Sequence, residues 1–211
     1  MKLLLAIETS TAQYGLALGE NDVVRAQTLA GPDTSRDLAA SLRAILASAG
    51  AGIEDIGAIG VDIGPGSLGS LRDGVNFANA LAYARGVPAY AFTSFELLGH
   101  AVASERRLLC VRRANEGLAY AGLFEGGAVQ KMRWGALADI VRDLAGDAPV
   151  ECAGALADAA AEVLGARARV VSTDGPRAAT LIEIGVSQRS AHDPLRAPAL
   201  PINERSQVFR D

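Results

Sequence analysis

Imidazole, sulfur and indole side chains are scarce in this 211-residue chain, which has two histidines, two cysteines, two methionines and one tryptophan. His100 and His192 lie far apart, and neither belongs to an H-x-x-x-H pair, so no metal centre is expected. Cys110 and Cys152 fall in apolar, strand-like stretches where a buried inert thiol is the default. Two cysteines cannot make a disulfide framework, and such low usage points to a cytoplasmic protein. Ser67 stands in G-P-G-S-L-G rather than G-x-S-x-G, and no His–Asp pairing accompanies it, which argues against nucleophilic hydrolysis. No run of five or six like charges occurs. The formal net charge is -4 and the pI is about 5.3, against the basic footprint of a direct nucleic-acid binder. Arg106-Arg107 and Arg112-Arg113 are short and interrupted, and read as domain-junction charges. No apolar stretch reaches membrane-spanning length. The opening MKLLLAIETS lacks a small-residue cleavage site and reads as a strand.

What the chain does have is hydrophobic bulk, 50% of its residues, and 23 glycines. The organising stretch is Ile59–Arg85. Ile56, Ile59, Val61 and Ile63 suit a pleated strand. Gly64-Pro65-Gly66 ends it, and Ser67 or Ser70 can cap the helix that follows, Ser70 forming a capping box with Asp73. Gly74, Ala78 and Ala82 then recur as a flat stripe, with Val75, Phe77, Leu81 and Tyr83 on other sides. A helix apolar nearly all round needs cover on more than one side. The pattern alone leaves open whether the stripe packs within the monomer or against a partner. Gly64 to Gly69 also spells G-x-G-x-x-G, but a dinucleotide site wants an acidic residue about twenty positions on. Asp73 is too early and Glu96 too late, so no cofactor is expected.

In chain order, strands are expected at Leu3–Glu8, Gln13–Gly19 and Val23–Ala30, then a helix capped by Thr34 with Asp37 and carrying Leu38, Leu42, Ile45 and Leu46 on its apolar face. After the central unit come a strand at Ala89–Phe92 and a helix over Ser94–Val102. The pattern then restarts, with strands at Leu108–Ala114, Ala119–Phe124 and Ala128–Trp134. Next come a helix at Ala136–Leu144, a strand at Pro149–Cys152, a helix at Leu156–Leu164, a strand remnant at Val170-Val171 and a last helix at Ala178–Gln188. Two β-β-β-α-β-α halves are implied, residues 1–103 and 104–211, the second ending in an extended tail with three prolines.

Two quoted stretches carry a resemblance. LLAIETSTAQYGLAL followed by IGVDIGPGSLGSLRDGVNFANALAYARGVP is similar to the bacterial TsaB (YeaZ) family, whose opening reads LaIDTST…vAL and whose signature is GPGSFTGLRIG. Gly64, Pro65, Gly66, Ser67, Leu71, Arg72 and Gly74 match, whereas Leu68, Gly69, Ser70 and Asp73 depart. Thr34 and Arg36 replace the family's His and Glu around a matching Ser35. Arg113-Ala114-Asn115 stands for Asp-Ala-Arg, and Asn203 for a tyrosine, which makes this a divergent member. The resemblance implies an α/β actin/hexokinase/Hsp70-like (RNase H-like) duplicated fold. It also implies a noncatalytic partner of a TsaD-like enzyme in threonylcarbamoyladenosine modification of tRNA.

Members of that family pair through the helices near 34–49 and 70–85. The candidate partner-binding residues, for a homodimer or a TsaD-like enzyme, are therefore Ser35, Ala39, Leu42, Arg43, Leu71, Arg72, Gly74, Val75, Asn76, Ala78, Asn79, Ala82 and Tyr83. Glu8, Thr9, Ser10 and Thr11 sit where related kinases and ATPases place an acidic residue and a phosphate loop. A solvated turn is the plainer account of them. The alternatives are a divergent paralogue with another binding role, or a small-molecule kinase or ATPase of the same fold.

Overall fold

The computed structural model describes residues 2–11, 13–31, 37–172, 174–189, 194–195 and 197–209. Its elements in chain order are β1 (Leu3–Glu8), β2 (Tyr14–Glu20), β3 (Val23–Ala30), α1 (Leu38–Ala49), β4 (Ile56–Asp62), α2 (Leu68–Arg85), β5 (Ala89–Phe92) and α3 (Ser94–Val102). They continue with β6 (Leu108–Arg113), β7 (Ala119–Glu125), β8 (Ala128–Gly135), α4 (Leu137–Ala145), β9 (Val150–Ala153), α5 (Ala157–Leu164), β10 (Ala168–Ser172) and α6 (Ala178–Arg189). The strands make two five-stranded sheets, ordered β3-β2-β1-β4-β5 and β8-β7-β6-β9-β10. In each, the first two pairings are antiparallel and the last two parallel, so the topology is duplicated.

Two compact units result: Met1–Thr93 with Arg177–Pro201, and Ser94–Pro176 with Ile202–Asp211. They differ from the expected halves at 103/104. α3 belongs to the second unit, because Phe95 and Leu98 are buried with Leu108, Cys110 and Tyr120. α6 belongs to the first, because its residues pack on glycines of that sheet. A Cβ on Gly60 would meet Leu181 at 3.6 Å, and one on Gly19 would stand 2.1 Å from Ile182 Cγ2.

In the first unit, β1 is apolar from Leu3 to Ile7, as suits a strand covered on both faces. Leu5 and Ile7 join Ile59 and Val61 beneath α1 and α2, packed with Leu42, Ile45 and Val75. From Leu4 in β1 and Ala58 in β4 onward, the even-numbered positions alternate to the α6 face, Gly60 facing Leu181. The second unit repeats this layering. Leu109, Val111 and Cys152 lie under α4 and α5, while Leu108 and Cys110 face α3. Glycine again permits the close approach, since a Cβ on Gly122 would be 2.4 Å from the Phe95 ring.

One helix start differs from expectation, and another falls on one of its two expected caps. α1 is capped by Asp37, whose Oδ1 accepts from the Ala40 N–H at 2.8 Å. Thr34, Ser35 and Arg36 lie outside the described residues. α2 begins at Leu68 with Ser67 as its N-cap, which puts Ser70 inside the first turn. Ser70 therefore cannot cap, and its hydroxyl meets that of Ser67 at 2.9 Å instead. Among the described residues, no helix is long and apolar enough to cross a membrane.

Candidate functional site

The polar groups of the first unit gather where β1 and β4 end. The parallel register pairs Ile7 with Val61, so the next residues, Glu8 and Asp62, end adjacent strands side by side. Alternation turns both away from the α1–α2 layer. Each is almost completely buried, at 2% and 0% exposure. Burial of a charged carboxylate is tolerated only with good hydrogen bonds, and the two turns supply them. Glu8 Oε1 accepts from the Ser10 N–H and the Ser10 hydroxyl, both at 2.6 Å. Asp62 Oδ1 accepts from the Gly64 N–H at 2.7 Å. The Ser67 N–H donates to Ser10 O at 3.0 Å, which ties the Gly64–Ser67 loop to the turn after β1. Gly64 has φ +99°, a conformation that favours glycine.

The sequence singled out Glu8 to Thr11 as a possible solvated turn, yet Glu8, Thr9 and Ser10 are buried. It missed Asp62. The available signal was that both strands end in an acidic residue directly before a glycine- or hydroxyl-rich turn. Thr9 points the other way, toward α2. Its Oγ1 is buried without a hydrogen bond, 2.2 Å from where a Cβ on Gly74 would sit. The site could orient a divalent cation through Glu8 and Asp62. Among the described residues no group of three His, Cys, Asp or Glu side chains converges, so water or a ligand's oxygens would have to complete the coordination. The dinucleotide alternative gains nothing, because β5 ends in Phe92 where that motif needs a carboxylate.

The expected partner residues divide by exposure. Leu42, Leu71, Gly74, Val75 and Ala78 are buried within the first unit, so the small stripe serves its own core at Gly74 and Ala78. These residues are buried in their own unit and have no surface to offer a partner. Ala82 is half-buried. Asn79 is half-buried and engaged by the chain itself: its Nδ2 donates to Ala199 O at 3.0 Å, and its Oδ1 accepts from Ala199 N at 2.9 Å. Ala39, Arg43, Arg72, Asn76 and Tyr83 remain exposed, Tyr83 at 92%. With Ala80 they leave Arg72, Asn76, Ala80 and Tyr83 as one continuous outer line on α2. Ser35 lies outside the described residues. Of the departures, Asp73 and Arg113 are exposed, and Asn203 forms a local turn in which its Oδ1 accepts from Arg205 N at 2.9 Å.

In the second unit, His100 packs edge-on against Phe124, with ring centroids 5.2 Å apart. Tyr120 donates to Glu204 at 3.3 Å and stacks on Phe209. Burial, with Glu204 beside it, pushes its phenol up to about 12. Cys110 and Cys152 sit in adjacent strands but on opposite faces of the sheet, in separate clusters, so they cannot be bridged. Arg107 and Arg167 donate to the carbonyls of Leu144, Ala145 and Gly146 at the end of α4. Their charge thus serves a helix C-terminus.

Two copies of one sheet order, with a buried carboxylate pair closing the parallel strands of the first, define an actin/hexokinase/Hsp70-like duplicated α/β protein. Two solved structures from Pseudomonas aeruginosa share the fold. One, described as similar to peptidase YeaZ, gives a TM-score of 0.81 at 21% identity, over 97% of this chain and 100% of that one. The other, YeaZ, gives 0.78 at 20%, over 96% and 100%. The family model described as TsaD, tRNA N6-adenosine threonylcarbamoyltransferase, matches residues 28–179, and the chain belongs to that family, with a TsaB (YeaZ)-like fold. A tRNA N6-adenosine threonylcarbamoyltransferase of Bordetella bronchiseptica is 32% identical over 76% of this chain and 43% of its own length. One of Nitrosomonas europaea is 27% identical over 98% and 62%. The chain thus spans about half the length of the curated relatives it matches.

Proposed function

We propose that this chain is a noncatalytic assembly subunit of the machinery that makes threonylcarbamoyladenosine in tRNA, working in the cytoplasm. It pairs with a TsaD-like enzyme, with a second copy of itself, or with both. The observation that carries this reading is the family match combined with the outer line of α2. Arg72, Asn76, Ala80 and the almost fully exposed Tyr83 form a line that is polar at its N-terminal end and small, then aromatic, toward its C-terminal end, a mix of the kind protein interfaces use. Exposed Ala39 and Arg43 extend it onto α1.

Light scattering on the purified chain, alone and mixed with the TsaD-like enzyme of the same host, tests the reading. A dimer or a stable complex is expected, and the double variant Asn76→Arg/Ala80→Arg should abolish it without changing the circular dichroism spectrum. A wild type that stays monomeric and ignores the enzyme would count against the proposal.

A second reading is supported by the buried Glu8–Asp62 pair, since ligands of parallel sheets gather at the carboxyl ends of strands. In that reading the chain is a small-molecule kinase or ATPase. Titration calorimetry with ATP and Mg²⁺ separates the two: tight binding lost in Asp62→Asn favours the enzyme, and no heat favours the assembly subunit.

A further inference from the structure

Three arginines from distant parts of the sequence meet at one end of the second unit's sheet, where β9 and β10 begin. Arg106, Arg167 and Arg169 line a hollow of about 150 Å³, and Glu151 is the one carboxylate among the described residues of its wall. Strand register brings them together, since Leu108 pairs with Glu151 and Glu151 with Arg169 across β6, β9 and β10. Glu151 Oε1 accepts from Arg169 Nη2 at 2.5 Å. Its Oε2 accepts from the Ser104 hydroxyl at 2.5 Å, and that hydroxyl accepts from the Arg106 N–H at 3.0 Å. One buried carboxylate therefore fixes one arginine by its side chain and another by its backbone. Arg167 is held separately, its Nη1 donating to Gly146 O. A guanidinium carries five N–H donors, so these contacts set the groups in place and leave donors unused. Arg106 is exposed, and its guanidinium makes no bond among the described residues. Asp147 lies 3.5 Å from Arg167 but stands fully in solvent, where such a pair is worth little. The wall thus sets three positive charges against one negative.

We propose that this hollow binds a phosphate dianion, either free or as the terminal group of a monoester. Arginine forks match carboxylate and phosphate alike, so charge and size make the choice. A carboxylate would neutralise only half of the surplus positive charge, whereas a phosphate monoester carries about -1.5 to -2 at pH 7. Pockets for whole small ligands run from roughly 300 to 1,000 Å³, so this hollow seats one charged group and leaves its bearer outside. That bearer is a small phosphorylated molecule or the 5′ end of an RNA. The site goes beyond the assembly role and is independent of it, since it lies in the second unit and involves no residue of α1 or α2.

The test titrates the whole chain with inorganic phosphate by calorimetry at low ionic strength. Saturable binding is expected, with affinity falling at least about tenfold in Arg106→Ala, the loss of a charged hydrogen-bond donor. Arg113→Ala makes the same change in net charge at the opposite end of β6, where the residue is exposed, and should leave the affinity unchanged. Anisotropy with a short 3′-labelled RNA, bearing either a 5′-phosphate or a 5′-hydroxyl, then identifies the bearer. Tighter binding of the 5′-phosphate form, competed by inorganic phosphate, assigns the site to an RNA end. Equal behaviour of the two RNAs beside saturable phosphate binding assigns it to a small phosphorylated molecule. No saturable binding of phosphate, or the same loss in Arg106→Ala and Arg113→Ala, overturns the proposal. Neither result bears on the assembly role, which the α2 variants decide.

Discussion

Replacing Gly74 with alanine in the middle of α2 sets two effects of known size against each other. Helix propensity alone favours the change by about 1 kcal/mol. Packing opposes it, because the new Cβ would stand 2.2 Å from Thr9 Oγ1, 2.8 Å from its Cγ2 and 3.0 Å from its Cβ. Thr9 is 1% exposed, and rotating it about χ1 only exchanges the hydroxyl for the methyl group. Overpacking of a well-filled site costs roughly 1–3 kcal/mol after relaxation, and a contact this short belongs at the upper end. Net destabilisation of about 1–2 kcal/mol is therefore expected, read in urea as a lower midpoint at unchanged slope. Thr9→Ala removes two of the three clashing atoms together with a buried, unpartnered hydroxyl, whose desolvation costs about 1–3 kcal/mol. The double variant should accordingly regain most of the loss, with a coupling of about 1 kcal/mol or more. If Gly74→Ala stabilises the protein by the full propensity difference, Gly74 is not pressed against Thr9 and the account of α2 packing fails.

Further expectations follow from burial and charge. Ala78 is 0% exposed in the core, so Ala78→Trp should unfold the first unit by circular dichroism rather than merely block association, whereas Ala80→Trp should leave the fold intact. Ser104 and Arg169 hold the Glu151 carboxyl below the usual glutamate range, each at 2.5 Å. A depressed folded-state value contributes stability that is present above the unfolded value and lost as pH falls through the folded one. Stability against urea should therefore decline on the acid side of that range, and Glu151→Gln should flatten the decline. A wild-type acid limb no steeper than the variant's would contradict the ion pair. Burial raises the Cys152 thiol to about 11 and drives Cys110 higher still, so a thiol reagent at pH 8 should modify neither before global opening. Mild oxidation should likewise form no internal disulfide; a bridged product on a mass spectrum would refute the assignment of opposite faces.

How much of this could be read from the chain differs from element to element. The strands of the first unit were legible because β1 and β4 are apolar on both faces, and the Glu20–Asp22 turn stands plainly between two periodic runs. The duplicated topology was legible for the same reason, as strand, turn and helix signals recur in the same order after residue 107. The start of α1 was not. Thr34 and Asp37 both suit a cap, and only the placed backbone shows that the Asp37 carboxylate reaches the Ala40 N–H. The partner surface was half legible, since the pattern identified α2 as apolar nearly all round but could not say which side its own core would take.

Local sequence by itself determined the alternation of strands and helices, the repeated order of the halves and the glycine-proline turn after β4, because these depend on residues near one another along the chain. Tertiary structure alone decided that Glu8 and Asp62 lie side by side, that Gly74 meets Thr9, that Asn79 holds Ala199 across 120 positions, and that α3 and α6 belong to the units they cover. Each of those facts depends on strand register or on which helix closes which sheet face, and such long-range pairings are selected by the collective burial of the whole core rather than by any one stretch of it.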